Sequence, residues 1–223
     1  MDRSRPRASH DPVSEPTIAR LSVYLRCLET LEEDGVRTVS SKTLADQFNL
    51  HAALIRKDLA HFGEFGVRGV GYYVADLRRH LRQILGLDRR KRVVILGAGN
   101  LGFALADYPG FRHEGFEIVA MFDVARGKLG QRSRTGVEVR DVRELPVLAA
   151  REHVDIGVVA VPRDTAQDVV DLLVGNGIRA ILNFAPGTLT VPDGVEIKNV
   201  DLSVSLESLS FFLAQGPHGE AAG

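Results

Sequence analysis

A β-branched run that ends in glycines at positions 97, 99 and 102 leaves this chain few ways to fold. Val93, Val94 and Ile95 read as part of a buried parallel strand over residues 91–99, and Leu101, Ala104 and Leu105 mark a helix directly behind the glycines. In that setting Gly97 permits the tight turn, Gly99 lets the backbone come close to a pyrophosphate, and Gly102 lets the helix pack on the strand. The free amides at the helix start then face phosphate oxygens. Gly97, Ala98, Gly99, Asn100, Leu101 and Gly102 are therefore expected to hold a dinucleotide. Asp123 ends the next strand, 21 residues after Gly102, where a carboxylate accepts hydrogen bonds from the adenosine ribose. Its charge opposes a 2′-phosphate, which favours NAD(H), NADH or NAD⁺, over NADP(H).

The residues that follow keep alternating between strand and helix signals. Strands are expected at 115–123, 154–162, 178–184 and 195–199, and helices at 101–107, 141–151 and 163–175. That is a Rossmann-type doubly wound parallel sheet over residues 88–200. Ligands of such sheets lie at the carboxyl ends of strands, so Val161, Pro162, Asn183 and Phe184 are candidate walls for a nicotinamide ring. The closing segment, residues 201–215, has Leu202, Leu206, Leu209 and Leu213 at helical spacing and Val204, Phe211 and Phe212 off that stripe. A helix apolar over so much of its circumference must bury more than one face.

The first 16 residues combine proline and charge with few apolar groups and are expected to be a disordered arm, as is the tail at 216–223. Residues 17–87 read differently. Ile18, Leu21, Leu25 and Leu28 line one face of a helix that ends near Gly35; a short helix follows Ser40 or Ser41 and closes at Asn49; a third runs over 52–62. Then EFGVRGVGYYV, residues 64–74, alternates glycine and apolar residues as a hairpin does, and a fourth helix covers 74–87. This is the order of a winged helix-turn-helix, whose second helix enters the major groove of DNA. Arg56 and Lys57 are exposed on that helix by pattern, Arg68 sits at the wing tip, and Lys42 starts the preceding helix as a phosphate contact. The charge is divided accordingly: 15 Lys and Arg against 12 Asp and Glu in residues 1–90, and 13 against 17 in residues 91–223.

Other classes fit less well. One cysteine, Cys27, excludes a disulfide framework and reads as a small buried hydrophobe, and the seven scattered histidines form no metal-ligand pair. No apolar run approaches the ~20 residues of a membrane span, and the polar start does not read as a secretory signal, so a cytoplasmic protein is expected. A dehydrogenase needs a substrate site and an acid or base near the nicotinamide. Only about two dozen residues follow the last strand, and Pro109 and Gly110 break any helix that would align Tyr108 with Arg112. No catalytic residue is expected. A small NAD-dependent oxidoreductase and a coenzyme A sensor remain the rival readings.

The segments YLR (24–26), IRKDLAHFGEFGVRGVGYYV (55–74), LGAGNLGFALADYPGF (96–111), MFDV (121–124), VAVPR (159–163), ILNFAP (181–186) and NVDLS (199–203) together resemble the Rex family of redox-sensing transcriptional repressors. The resemblance implies a homodimer with a C-terminal swapped helix, binding two-fold symmetric operator DNA and released by NADH, in control of respiratory and fermentative genes. It also implies DNA contacts from Arg56, Lys57 and Arg68, cofactor contacts from the glycine loop and Asp123, a contribution from Tyr108 near the nicotinamide, and a switch pair of Arg26 with Asp201. Asn100 stands where some members carry arginine, and Leu202 where some carry an aromatic residue.

Overall fold

A computed structural model describes residues 13–215, and the chain divides into two compact units between Arg89 and Arg90. The expected tail at 216–223 and the first twelve residues of the expected arm lie outside the described residues. The last two residues of that arm are ordered: α1 spans Glu15–Glu33, with Pro16 in its first turn, where a missing N–H costs nothing.

In the first unit α1 is joined by β1 (Thr38–Val39), α2 (Ser41–Phe48), α3 (Ala52–Phe62), β2 (Tyr72–Tyr73) and α4 (Val74–Ile84). Leu21, Tyr24, Leu25, Leu28 and Leu31 of α1 form the inner stripe and meet Leu44, Ile55, Leu59, Leu77 and Leu81 of the other helices in one core. Ile18 does not join them; at 47% exposure it lies one turn beyond the packed part of α1. Cys27 is buried in this core, and burial pushes its thiol up. Ser40 caps α2 by accepting the Thr43 N–H at 2.9 Å, and Asn49, in the left-handed region at φ 54°, turns the chain into α3.

The hairpin expected over 64–74 is present but confined to a single bridge. Val67 and Gly71 exchange both backbone hydrogen bonds around a turn closed by Val70 N–H to Val67 O, with Gly69 at φ +81°. Tyr72–Tyr73 then pairs antiparallel with Thr38–Val39, so the wing borrows its partner strand from ahead of α2. Helix α4 stops at Ile84, short of residue 87, because Gly86 turns left-handed at φ +68° and Leu87 N–H returns to Arg82 O.

The second unit is a six-stranded parallel sheet in the order β5-β4-β3-β6-β7-β8, formed by β3 (Lys91–Leu96), β4 (Phe116–Asp123), β5 (Val139–Asp141), β6 (Ile156–Val159), β7 (Ala180–Asn183) and β8 (Glu196–Asn199). Side chains alternate across it. Val94 and Leu96 face α7 (Leu145–Glu152) and α8 (Arg163–Gly175), while Val93 and Ile95 share a second layer with Ala106 of α5 (Asn100–Ala106). Strand order reverses at β3, and ligands of such sheets lie in the crevice outside the carboxyl ends of the strands at the reversal, here β3 and β6.

Among the strands and α-helices of this unit, two were not expected from the sequence, strand β5 and a one-turn α6 (Pro109–His113) that Pro109 restarts. The helix expected from residue 141 begins at Leu145, after a 3-10 turn that Asp141 caps. The final helix, α9 (Leu202–Ala214), is present as expected, yet every residue of it is exposed. Phe211, Phe212 and Leu213 stand 67%, 71% and 73% open. Among the described residues no helix is long and apolar enough to cross a membrane, and no three His, Cys, Asp or Glu gather as a metal site.

Candidate functional site

The carboxyl end of β3 explains why glycines stand where they do. Gly97 adopts φ +106°, and a Cβ there would lie 2.3 Å from Ala160 O and 3.0 Å from Val161 Cγ1. A Cβ on Gly102 would lie 2.0 Å from Gly97 O, so this glycine seats α5 against the turn. Gly99 differs, because a Cβ there would meet nothing within 4 Å. Its backbone borders open space at the start of α5, as a group approaching the loop requires. Asn100 and Leu101 are exposed at the same lip, while Ala98 is buried.

Asp123 is tied to this loop. Its Oδ2 accepts the Ala98 N–H at 2.9 Å and Lys128 Nζ at 2.8 Å, and its Oδ1 accepts the Ala125 N–H at 2.8 Å. Burial pushes the carboxyl up, but Lys128 and the two amides outweigh it and hold it below the usual carboxylate range. Nothing in the sequence pointed to Lys128. A lysine five residues after the acid, on a turn too short to show periodicity, gives little signal.

The structure brings Val161 to the glycine turn and leaves Pro162 exposed as the cap of α8. Phe184 is half-buried beside them, its N–H bonded to Val159 O. Asn183 is a correction. Its side chain is fully buried, donating to Ala185 O and Asn199 Oδ1 and accepting the Ala185 N–H, each at 2.9 Å. It braces the end of β7 against β8 and has no face left for a ring.

Tyr108 is not brought together with the glycine loop. It lies past the carboxyl end of α5, stacked edge-on against Phe111, and lines a polar cavity with Arg92 and Phe116 at the amino-terminal ends of β3 and β4. Of the expected switch pair, Arg26 is exposed on α1, and Asp201 caps α9 by accepting the Ser203 N–H at 2.9 Å.

In the first unit Lys42, Arg56, Lys57 and Arg68 are all exposed. Arg56 Nη1 donates to Ser41 Oγ at 2.9 Å, linking α3 to the start of α2, and Arg68 stands on the wing turn. The neighbour of Lys57 on the inner side of α3 is a residue that sequence patterns did not single out. Asp58, 4% exposed, receives Arg20 Nε at 2.6 Å, Arg20 Nη2 at 2.8 Å and the Tyr24 hydroxyl at 2.9 Å. The Arg20 guanidinium holds its carboxyl below the usual range, and in return burial and this carboxylate push Tyr24 up to about 12. This buried triad fastens the inner side of α3 to α1 while Arg56 and Lys57 remain outside.

Comparison with known proteins reports on both units. A family described as "Putative DNA-binding protein N-terminus" matches residues 12–60, and one described as "CoA binding domain" matches residues 88–187. The redox-sensing transcriptional repressor Rex of Pelotomaculum thermopropionicum is 51% identical over 203 residues, covering 91% of this chain and 95% of the relative. That of Streptomyces avermitilis is 44% identical, covering 98% and 86%. Among solved structures, RSP in complex with β-NAD⁺ and operator DNA aligns with a TM-score of 0.87 at 42% identity, covering 95% of this chain and all of that one. RSP in complex with β-NADH aligns at 0.80 and 41%, covering 92% and 96%.

A winged helix-turn-helix ahead of a Rossmann unit with an open glycine lip defines a nucleotide-responsive DNA-binding regulator. The chain belongs to the Rex family of redox-sensing transcriptional repressors.

Proposed function

We propose that this protein works in the cytoplasm as a homodimeric repressor that holds two-fold symmetric operator DNA and leaves it when NADH occupies the crevice at residues 97–102. Genes of respiration and fermentation then follow the NADH/NAD⁺ ratio. The observation that carries the reading is the pairing, in one chain, of exposed Arg56, Lys57 and Arg68 on a winged helix with a glycine lip that a Cβ-free Gly99 leaves open. No hydride is consumed in this role; the dinucleotide acts as a ligand. RSP has been captured with operator DNA and β-NAD⁺ and separately with β-NADH, which supports the same pair of states here.

The two cofactor forms differ by a hydride and by the positive charge of the oxidised ring. Ala160, Val161 and Phe184 present apolar surface at the strand ends, and such walls favour the uncharged ring. A ligand shifts a two-state dimer only by the ratio of its affinities for the two states, about 10⁴ for a swing from 1:99 to 99:1. The exposed apolar helix α9 fits the swapped helix expected of the dimer: thirteen residues with Leu206, Leu209, Phe211 and Phe212 bare are stable only when covered. Each chain would then hold one half-site, with successive recognition helices about 34–36 Å apart.

The test is a gel-shift titration on a palindromic operator. NADH should dissolve the complex at concentrations where NAD⁺ leaves it intact. Release by NAD⁺ but not NADH would overturn the reading, and release by coenzyme A alone would favour the coenzyme A alternative that the second family match suggests.

A further inference from the structure

Lys128 closes the 3-10 turn Arg126–Lys128 that follows β4. The turn is held by its own backbone and by the Gln131 side chain: Lys128 N–H donates to Ala125 O at 2.9 Å, Gln131 N–H donates to Lys128 O at 3.1 Å, and Gln131 Nε2 donates to Gly127 O at 2.9 Å. On this braced turn the side chain reaches Asp123 Oδ2 at 2.8 Å. The lysine is 39% exposed and the carboxylate 9%, so the ammonium forms the outer lip over the buried acid. The same oxygen takes the Ala98 N–H of the glycine loop, and Oδ1 takes the Ala125 N–H.

A carboxylate offers about four lone-pair sites, and three of these are occupied. Asp123 therefore has one site left to accept a hydrogen bond, and it has none to donate. A ribose presents two neighbouring hydroxyls, each of which both donates and accepts. An acceptor alone serves half of that demand. An ammonium carries three N–H groups, and Asp123 uses one of those on Lys128.

We propose that Lys128 is the second ribose-binding residue of the crevice, donating to a hydroxyl oxygen of the adenosine ribose while Asp123 accepts from one of the two hydroxyls through its remaining lone-pair site. The pair reads a vicinal diol as an acceptor and a donor side by side. The inference rests on the dinucleotide reading of residues 97–102, and it adds to that reading the cation that completes the ribose end. Charge-assisted hydrogen bonds are about twice as strong as neutral ones, so loss of this donor is felt in affinity.

Binding of NADH to the full chain is measured by calorimetry for the wild type, Lys128→Met and Lys128→Arg. Each is also titrated with an NADH analogue whose adenosine ribose lacks both hydroxyls. Lys128→Met should weaken NADH about tenfold or more, and Lys128→Arg should recover most of the loss. The hydroxyl-free analogue should bind the wild type weakly and lose almost nothing further in Lys128→Met, since the two changes remove one interaction. The inference fails if Lys128→Met binds NADH within twofold of the wild type, or if the two losses multiply as independent effects. A wild type that binds no NADH at all overturns both this inference and the proposed function; wild-type binding that ignores Lys128 overturns only the inference.

Discussion

Asp58 in the first unit and Asp123 in the second are both sheltered carboxylates, each gripped by a cation, and they do opposite things. Around Asp58 the grip is closed: Arg20 spans both oxygens and Tyr24 adds a third donor, with the acid only 4% exposed. Around Asp123 two backbone amides fix the loop geometry, while the cation is a flexible lysine at the crevice lip. A bidentate guanidinium with a buried phenol makes architecture. An ammonium on a solvent-facing stem makes a place that a ligand can enter. The same residue type at the inner side of α3 and at the end of β4 thus separates the frame of the DNA unit from the working edge of the nucleotide unit.

The contrast is broken most severely at Asp58. Asp58→Ala leaves the buried Tyr24 hydroxyl unsatisfied and frees an Arg20 guanidinium that is 31% exposed, so the cost is about 3 kcal/mol, the low end for breaking a buried pair. Urea unfolding of the full chain should show the first unit losing that much, with operator binding lost alongside and NADH binding kept. If the variant unfolds within about 1 kcal/mol of the wild type, the triad is ornamental.

The pH response sharpens the same contrast. Asp58 is held below its ordinary value, chiefly by Arg20, so its contribution is fully present above about pH 4 and is lost as pH falls through the lowered value. Tyr24 is raised from 10.0 to about 12, chiefly by burial and then by Asp58, so its contribution is present below pH 10 and is lost as pH rises toward 12. Tyr24→Phe should cost about 1.5–3 kcal/mol at neutral pH, the range for a hydrogen bond to a charged group. It should also remove the alkaline loss of stability in the first unit. An unchanged alkaline limb in the phenylalanine variant would assign that limb to another group.

On the nucleotide side the matching test is Gly102→Ala. Its Cβ would sit 2.0 Å from Gly97 O, and backbone cannot swing aside as a side chain can. Overpacking of this kind costs about 1–3 kcal/mol, and the displaced loop should weaken NADH by tenfold or more in a fluorescence titration. Operator binding should persist without its NADH response. A variant that still releases DNA at wild-type NADH concentrations would uncouple the glycine loop from sensing.

The sheet was largely legible in the sequence because strands such as β3, buried from Val93 to Leu96, have no exposed positions to interrupt their apolar run, and because the glycine spacing has one structural context. Strand β5 escaped because three residues, of which only Val139 is fully buried, carry no period. The hairpin expected in the wing is there only as the Val67–Gly71 bridge, and its extent escaped for a related reason: the partner of Tyr72–Tyr73 lies more than thirty residues back, at Thr38–Val39, where local alternation gives no sign of it. Asp58 could have been found. It stands three residues after Ile55 and one before Leu59 on the apolar stripe of α3, and an acid in that place requires a cation such as Arg20, one turn before Tyr24. Asn183 was misassigned because a strand-end amide reads alike whether it faces a ligand or braces the next strand. The environment of Lys128 depends on how the turn after β4 folds back, which spacing does not encode.

The smallest expected effect comes from the residue beside Asp58. Lys57 is exposed and takes no part in the hydrogen bonds of the triad that fixes the helix. Lys57→Ala should leave the urea midpoint unchanged, since it empties no buried site. Its whole effect should fall on DNA. A lysine that neutralises one phosphate contributes about 0.9 to the slope of log affinity against log salt, so the variant should lower that slope by about one and weaken operator and random duplex alike. Arg68→Ala, on the wing, is the control for the other mode of DNA recognition, because an arginine in a narrow minor groove reads groove width and should lower operator binding more than random binding. If Lys57→Ala changed stability and left the salt slope alone, the division between the inner and outer sides of α3 would be wrong at its first residue.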